Sequence, residues 1–465
     1  GRQADGTATW TNLEPGTYWL RETLPEGYTE VGGETTQYKY TKVVLTAGAG
    51  QSGYDDTGTA TITNAATHGK IQIGKYSAAA DGSADTNAPM SGVEFSVYSS
   101  QIDAENGTSA VATLTTGTNG SAVSGWLAPG TYYLKETKTL TGYVLDDTIY
   151  TVTVTANQTV TTATSNGGNV DLTKLVNVKT GQFTINKYSV FLESDGTNEE
   201  VLERLSGAEF TLYEYTGADD ALDAGDVMPI FSSTGATSVK TVSMTSYTAT
   251  VDGLEPGVYW LVETKVPGAT NEYAKADDML VRVLPTGAVQ IGTKGTDGNL
   301  TWTAANASSS VDVKDKALKA RIRVIKKVYG EDTRIDGAQF ELYVADTNGT
   351  VDAVINGQTV KVSPVLDGND KIVVIESGQA RDEDGEKVKG ETVTPSLEPN
   401  KTYYLKEIEV DNPNFNNDYY FDPDNCWTEV VVGTGGYEYS VTIDNYEKSK
   451  NPGTKHDAEG SPLSR

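Results

Sequence analysis

One phrase occurs four times along the chain and constrains its fold more than any other feature. The first copy reads Leu13-Glu14-Pro15-Gly16-Thr17-Tyr18-Trp19-Leu20-Arg21-Glu22-Thr23. It returns over Leu127–Thr137 (LAPGTYYLKET), Leu254–Thr264 (LEPGVYWLVET) and Leu397–Ile408 (LEPNKTYYLKEI). A Pro-Gly pair ahead of aromatic and branched residues predicts a tight turn feeding a strand. In the fourth copy Asn400 stands at the glycine position. Asparagine is the next most tolerant of left-handed geometry, so the turn is expected to survive.

Three further phrases keep step with the first. Ser91–Tyr98 (SGVEFSVY), Ser206–Tyr213 (SGAEFTLY) and Asp336–Tyr343 (DGAQFELY) precede three of the copies. Ile71–Lys75 (IQIGK), Phe183–Lys187 (FTINK) and Ile322–Lys326 (IRVIK) open full units. Ile62–Asn64, Leu175–Asn177, Val313–Asp315 and Ile443–Asn445 close units. Short strands at regular spacing with turns between them predict an all-β array of tandem β-sandwich domains. Residues 1–67 read as the back half of one unit. Complete units follow at 68–178, 179–317 and 318–447, and the polar tail 448–465 is expected to be disordered. The linkers are very short, which predicts stiff end-to-end stacking into a rod.

Composition narrows the function. The formal charge of -28 opposes binding to nucleic acid phosphates. No run of residues is apolar enough to span a membrane. With one cysteine, Cys426, no internal disulfide forms, and with two histidines, His68 and His456, histidine triads and multi-histidine metal sites are excluded. No cofactor or metal is expected. Starting at Gly1 without a signal peptide and ending without an anchor, the sequence reads as a piece of something longer.

The strand pattern then puts polar residues where apolar ones belong. Residues two apart share a face. Tyr132, Leu134 and Glu136 therefore point together, toward the core that Leu134 marks. Tyr18/Leu20/Glu22, Tyr259/Leu261/Glu263 and Tyr403/Leu405/Glu407 repeat the arrangement. Ile71/Ile73/Lys75, Phe183/Ile185/Lys187 and Ile322/Val324/Lys326 turn a lysine inward. Ile62/Asn64, Leu175/Asn177, Val313/Asp315 and Ile443/Asn445 do the same with an amide or carboxyl. Isolated buried charges are costly. Burial lowers a lysine pKa and raises a glutamate pKa, so such a pair can exchange a proton and leave a neutral amine. A neutral amine beside a polarised carboxamide is set up for attack, giving a Lys–Asn amide and ammonia, or water with Asp315. A buried ion pair without a covalent bond is the competing reading.

These phrases resemble the B-type repeat domains of the collagen-adhesin stalk, the SpaA-like prealbumin fold of Gram-positive pilins and wall-anchored adhesins. The resemblance covers nearly the whole chain and implies Ig-like, transthyretin-like sandwiches. It also implies spontaneous isopeptide bonds from a first-strand Lys to a last-strand Asn or Asp, assisted by the Glu of the ET motif. Carried over, the bonds are Lys75–Asn177 with Glu136, Lys187–Asp315 with Glu263, and Lys326–Asn445 with Glu407. Glu22 and Asn64 are orphaned, because the lysine strand of their unit is missing. Leu140 departs from the family's proline and Ile408 from its threonine, while flanking Asp312 and Lys316 leave other registers open around Asp315.

The resemblance implies an extracellular, wall-anchored stalk or pilin segment whose partners are neighbouring repeats or other pilin subunits. It is no enzyme beyond single-turnover self-cross-linking. The alternative is an adhesin module in which a unit binds a host matrix protein or glycan, through the inserts 214–247 or 346–395. The acidic runs Asp219-Asp220 to Asp226 and Asp382–Glu386 read as solvated loops rather than calcium sites. Cys426, next to Trp427 in an expected strand, reads as a small semi-buried side chain. Trp19 and Trp260 read as exposed strand residues rather than sugar platforms.

Overall fold

The computed structural model describes residues 7–24, 26–30, 38–45, 59–217, 222–304, 310–410, 415, 418–448, 455–456 and 462–463. Two compact units divide the chain: Gly1–Gly181 with Leu284–Gly287, and Gln182–Val283 with Ala288–Arg465.

In the first unit the partial repeat forms two antiparallel pairs, Gly16–Thr23 with Tyr38–Leu45 and Tyr28–Glu30 with Asn64–Ala66. A complete sandwich follows. One of its sheets has six strands and sets Glu94–Tyr98 beside Gly130–Lys138. The other is built on the opening strand Lys70–Ala78, with the closing strand Leu175–Asn177 parallel to it. Ile71, Ile73, Phe95, Val97, Leu134 and Val152 meet between the sheets. Each such side chain stabilises the fold by about 1.5–3 kcal/mol on burial. Gly74 sits where chain meets chain: a Cβ there would lie 2.3 Å from the carbonyl oxygen of Thr173.

The second unit holds two more sandwiches of the same plan. In the third repeat Gly181–Glu193 opens parallel to Ser310–Ala317, facing a sheet that carries Glu209–Glu214 and Gly257–Lys265. In the fourth, Arg321–Val328 opens parallel to Tyr437–Asn445, facing Gln339–Ala345 and Lys401–Ile408. Phe183, Ile185, Phe210 and Leu261 fill one core, and Ile322, Val324, Phe340 and Leu405 the other. The opening strand of the third sandwich outruns its own domain. Its Leu192 and Glu193 ladder with Tyr437 and Glu438 of the fourth, so one eight-stranded sheet passes through both.

Charges are buried at that seam. Glu438 accepts from Arg321 Nε at 2.6 Å and from Arg323 Nε at 2.5 Å. Arg321 also contacts Glu203 of the third sandwich and lies 4.1 Å over the ring of Phe191. Arg323 reaches Glu391 at 2.7 Å. Guanidinium groups suit this place because their planar fork serves two carboxylates at once.

The recurring turn phrase has a purpose that strand propensity did not reveal. Tyr18, Tyr132 and Tyr259 each donate their hydroxyl to the carbonyl of the residue four back, at 2.7, 3.0 and 2.8 Å. The tyrosine thus ties the turn to its strand. Tyr403 reaches five back, to Glu398 at 3.1 Å, because the fourth copy is one residue longer. Asn400 adopts a φ of 59°, while Gly16 and Gly130 need no left-handed backbone.

Several expectations change. Trp19 is exposed, but Trp260 is only 6% exposed. The 214–247 insert folds back over the outer face of its sheet, where Leu222, Met228 and Phe231 pack with Trp260 and Leu280 in a second apolar cluster. Cys426 ends a short 3-10 turn just before the strand Trp427–Val432 and is buried, and desolvation pushes its thiol pKa up. Asp219 and Asp220 lie outside the described residues. Asp382 caps a hairpin by accepting from the Glu386 backbone N–H at 2.8 Å. Within the tail, Lys455–His456 and Pro462–Leu463 form a two-residue antiparallel pair.

Candidate functional site

The same three-residue constellation stands in each complete sandwich, built by one register rule. In the parallel ladder of opening and closing strands, Lys75 pairs with Leu175, Lys187 with Val313 and Lys326 with Ile443. The amide or carboxyl residue comes two positions later in every case, at Asn177, Asp315 and Asn445. A spacing of two keeps it on the lysine's face, one diagonal step away. The glutamate arrives from the facing sheet, and its cross-strand partner is always the phenylalanine of the second phrase: Glu136 with Phe95, Glu263 with Phe210, Glu407 with Phe340. Those rings lie 5.4, 5.6 and 5.5 Å from the lysine nitrogens. Sequence reasoning missed this aromatic floor. Its signal was the fixed Phe of SGxEF, SGAEF and DGAQF.

All three lysines are 0% exposed. In the second sandwich Lys75 Nζ lies 2.9 Å from Glu136 Oε2 and donates to the Val176 carbonyl at 2.9 Å. Asn177 Nδ2 donates to Glu136 Oε1 at 2.6 Å and to Thr139 Oγ1 at 2.6 Å. In the fourth, Lys326 Nζ donates to Glu407 Oε2 at 2.8 Å and to Asn445 Oδ1 at 2.7 Å, while Asn445 Nδ2 donates to Glu407 Oε1 at 2.7 Å. In both, one glutamate bridges the amine nitrogen and the amide nitrogen. Loss of water lowers the pKa of Lys75 and of Lys326, against the raising pull of the neighbouring glutamate. A nitrogen so placed releases its proton more readily than a solvated lysine.

In the third sandwich Lys187 Nζ is 3.1 Å from Glu263 Oε1 and also contacts Asp315 Oδ1. The backbone N–H of Ala276 donates to both carboxylates, at 3.2 and 3.0 Å. Burial raises the Glu263 pKa to about 7, with the lysine charge opposing. Asp315 is thus the residue at the lysine, whereas Asp312 faces outward and accepts from Asn186 at 2.8 Å. In the partial repeat Asn64 Nδ2 donates to Glu22 Oε1 at 2.9 Å. Glu22 Oε2 and Asn64 Oδ1 make no hydrogen bond among the described residues. No group of three or more His, Cys, Asp or Glu poised for a metal ion occurs among the described residues.

Fold and sites together define a class: tandem prealbumin-like β-sandwiches, each closing a lysine, a glutamate and an amide or carboxyl inside its core. Residues 69–168 and 192–296 match the family model described as SpaA, prealbumin-like fold domain, and these stretches are domains of that family. Among solved structures the chain is similar to the Bacillus anthracis TIE protein, at 15% identity over 92% of this chain and 68% of that one, with a TM-score of 0.24. It is similar to the D312A form of BcpA, the major pilin subunit of Bacillus cereus, at 16% identity over 82% and 99%, TM-score 0.23. The full-length major pilin SpaD from Corynebacterium diphtheriae is matched at 14% identity over 82% and 98%, TM-score 0.23. No curated protein sequence matches the chain.

Proposed function

We propose that the chain is a load-bearing segment of a bacterial surface shaft, a pilus or adhesin stalk, whose sandwiches staple themselves with amide bonds. The bonds join Lys75 to Asn177, Lys187 to Asp315 and Lys326 to Asn445, with Glu136, Glu263 and Glu407 moving the protons. One observation carries this reading: three wholly buried lysines each touch a carboxylate and lie beside the closing residue. In the asparagine sites the glutamate takes a proton from the amine on one oxygen and delivers one to the departing amide nitrogen from the other. The amine forms a bond to Cγ, the Cγ–Nδ2 bond breaks and ammonia leaves.

A bond between opening and closing strands carries tension across a domain without unravelling it. Units at 68–178, 179–317 and 318–447 then act as successive stapled links. The partners are other shaft subunits, and the place is outside the cell on the wall. A second reading rests on the third-sandwich insert, where Val227 is 78% and Ile230 92% exposed, an apolar tip suited to a host protein. Intact mass of the purified chain tests the first reading. A deficit of two ammonias and one water is expected, and a mass equal to that of the sequence overturns it.

A further inference from the structure

Among the described residues, the second sandwich sets near its lysine a further carboxylate that is neither the glutamate nor the closing residue, and the other two do not. We infer that Asp146, held by Tyr150, is the acceptor for the surplus proton of the Lys75–Asn177 reaction. This inference rests on the proposed cross-link. Atom balance shows which protons have to move. The Lys75 ammonium has three protons on nitrogen and the product amide keeps one, so two must leave. The departing Asn177 amide nitrogen takes up only one to become ammonia, by way of Glu136. The other ends on the released ammonia, which leaves as ammonium, and Asp146 is the second carboxylate near the amine that can hold it until then. With Asp315 in place of asparagine no such surplus arises, because an ammonium and a carboxylate give an amide and water directly.

Asp146 Oδ2 lies 3.8 Å from Lys75 Nζ, on a loop separate from the Glu136 strand. Tyr150 donates its hydroxyl to the same Oδ2 at 2.5 Å, and the Thr148 backbone N–H donates to Oδ1 at 3.0 Å. Lys75, Glu136 and Tyr150 are the titratable groups that bear on this carboxylate, with Asp147 next in the chain. The Asp146 side chain is 18% exposed, whereas those of Lys75 and Glu136 are 0%. It therefore connects a sealed reaction to solvent and can pass the proton on.

The pairing register shows that this is particular to one repeat. Tyr150 stands opposite Leu134 of the glutamate strand. At the matching rung, Leu261 faces Met279 in the third sandwich and Leu405 faces Thr428 in the fourth. Neither position carries a phenol to reach a carboxylate beside the lysine. Tyr150 is a positioning residue; its own pKa is raised, first by burial and then by the bond to Asp146, so it stays a donor.

The test uses the full chain, made by brief cell-free translation and quenched at once into denaturant to hold the unlinked form, then diluted into buffers across a pH series. Cross-linked peptides from the second and fourth sandwiches are counted over time by mass spectrometry. Asp146→Asn should slow the Lys75–Asn177 bond about ten-fold or more near neutral pH. The slowing should shrink as pH rises and solvent base takes over. The Lys326–Asn445 bond in the same molecules should keep its rate. Tyr150→Phe removes the hydrogen bond that positions the carboxylate, so it should slow the same bond with the same dependence on pH, by less than Asp146→Asn does. Wild-type rates and profiles in both variants overturn the inference while leaving the cross-link standing. Absence of the Lys75–Asn177 bond in the wild-type chain overturns the proposed function itself. If Asp146→Asn fails to fold, the Tyr150→Phe profile decides alone.

Discussion

Replacing Glu407 by Gln is the most informative single change. The amide keeps the size and hydrogen-bonding reach of the glutamate, yet it cannot take a proton from Lys326 or hand one to Asn445. The fourth staple should not form, and the chain should retain one ammonia that wild type loses. The consequence for stability follows from the distance spanned, since Lys326 and Asn445 are 119 positions apart. Closing a loop of that length in the unfolded state is worth about 5 kcal/mol by the chain-entropy treatment of cross-links. For a sandwich of this size a kcal/mol moves the melting temperature by about 3–5 °C, so the loss is about 15–25 °C. Calorimetry reads the shift and intact mass reads the ammonia. A variant that still sheds the ammonia would refute the bridging role of the glutamate. A variant that retains it yet melts with the wild type would refute the claim that the staple stabilises.

Three further outcomes are expected. Cross-linking in the third sandwich should slow as pH rises through about 7, because Glu263 must be protonated to assist and its pKa is raised to about 7. The linkage has the same sign: relative to an ordinary carboxyl near 4.5, folding takes up a proton there. The unlinked third sandwich thus has this contribution in full below that value and loses it as pH climbs through the folded pKa, which urea melts of an Asp315→Ala variant, unable to form the bond, would read at several pH values. Glu438→Gln leaves the Arg321 and Arg323 charges short of a partner in a buried seam and should cost about 3–5 kcal/mol in denaturant melts. Trp260→Ala should cost about 3–5 kcal/mol and free the insert, seen as faster protease cleavage between residues 222 and 236.

Much of the architecture was legible because strand alternation has a period of two. Any residue two steps from a core leucine had to face inward, and Glu136, Glu263 and Glu407 do. Their lysine and closing partners followed from the same parity, except that flanking Asp312 and Lys316 left the register at Asp315 open until the Lys187–Asp315 contact fixed it. What parity cannot supply is registry between strands far apart in sequence. Hence the phenylalanine floor, the Asp146–Tyr150 pair and the seam around Glu438 appeared only in three dimensions. Trp260 was misread for a related reason. Alternation put it on the outer face, but a long insert covers that face, and nothing in the strand itself announces a cover.

The shared sheet of the third and fourth sandwiches limits where the chain can be cut. Severing it near residue 318 would strip Tyr437 and Glu438 from Leu192 and Glu193, leaving bare backbone donors and acceptors on both fragments. Raw strand edges invite pairing with whatever strand comes next. Excised singly, these two repeats are expected to be stickier than when produced as a pair, and a gene that duplicated one of them would inherit an unsealed margin.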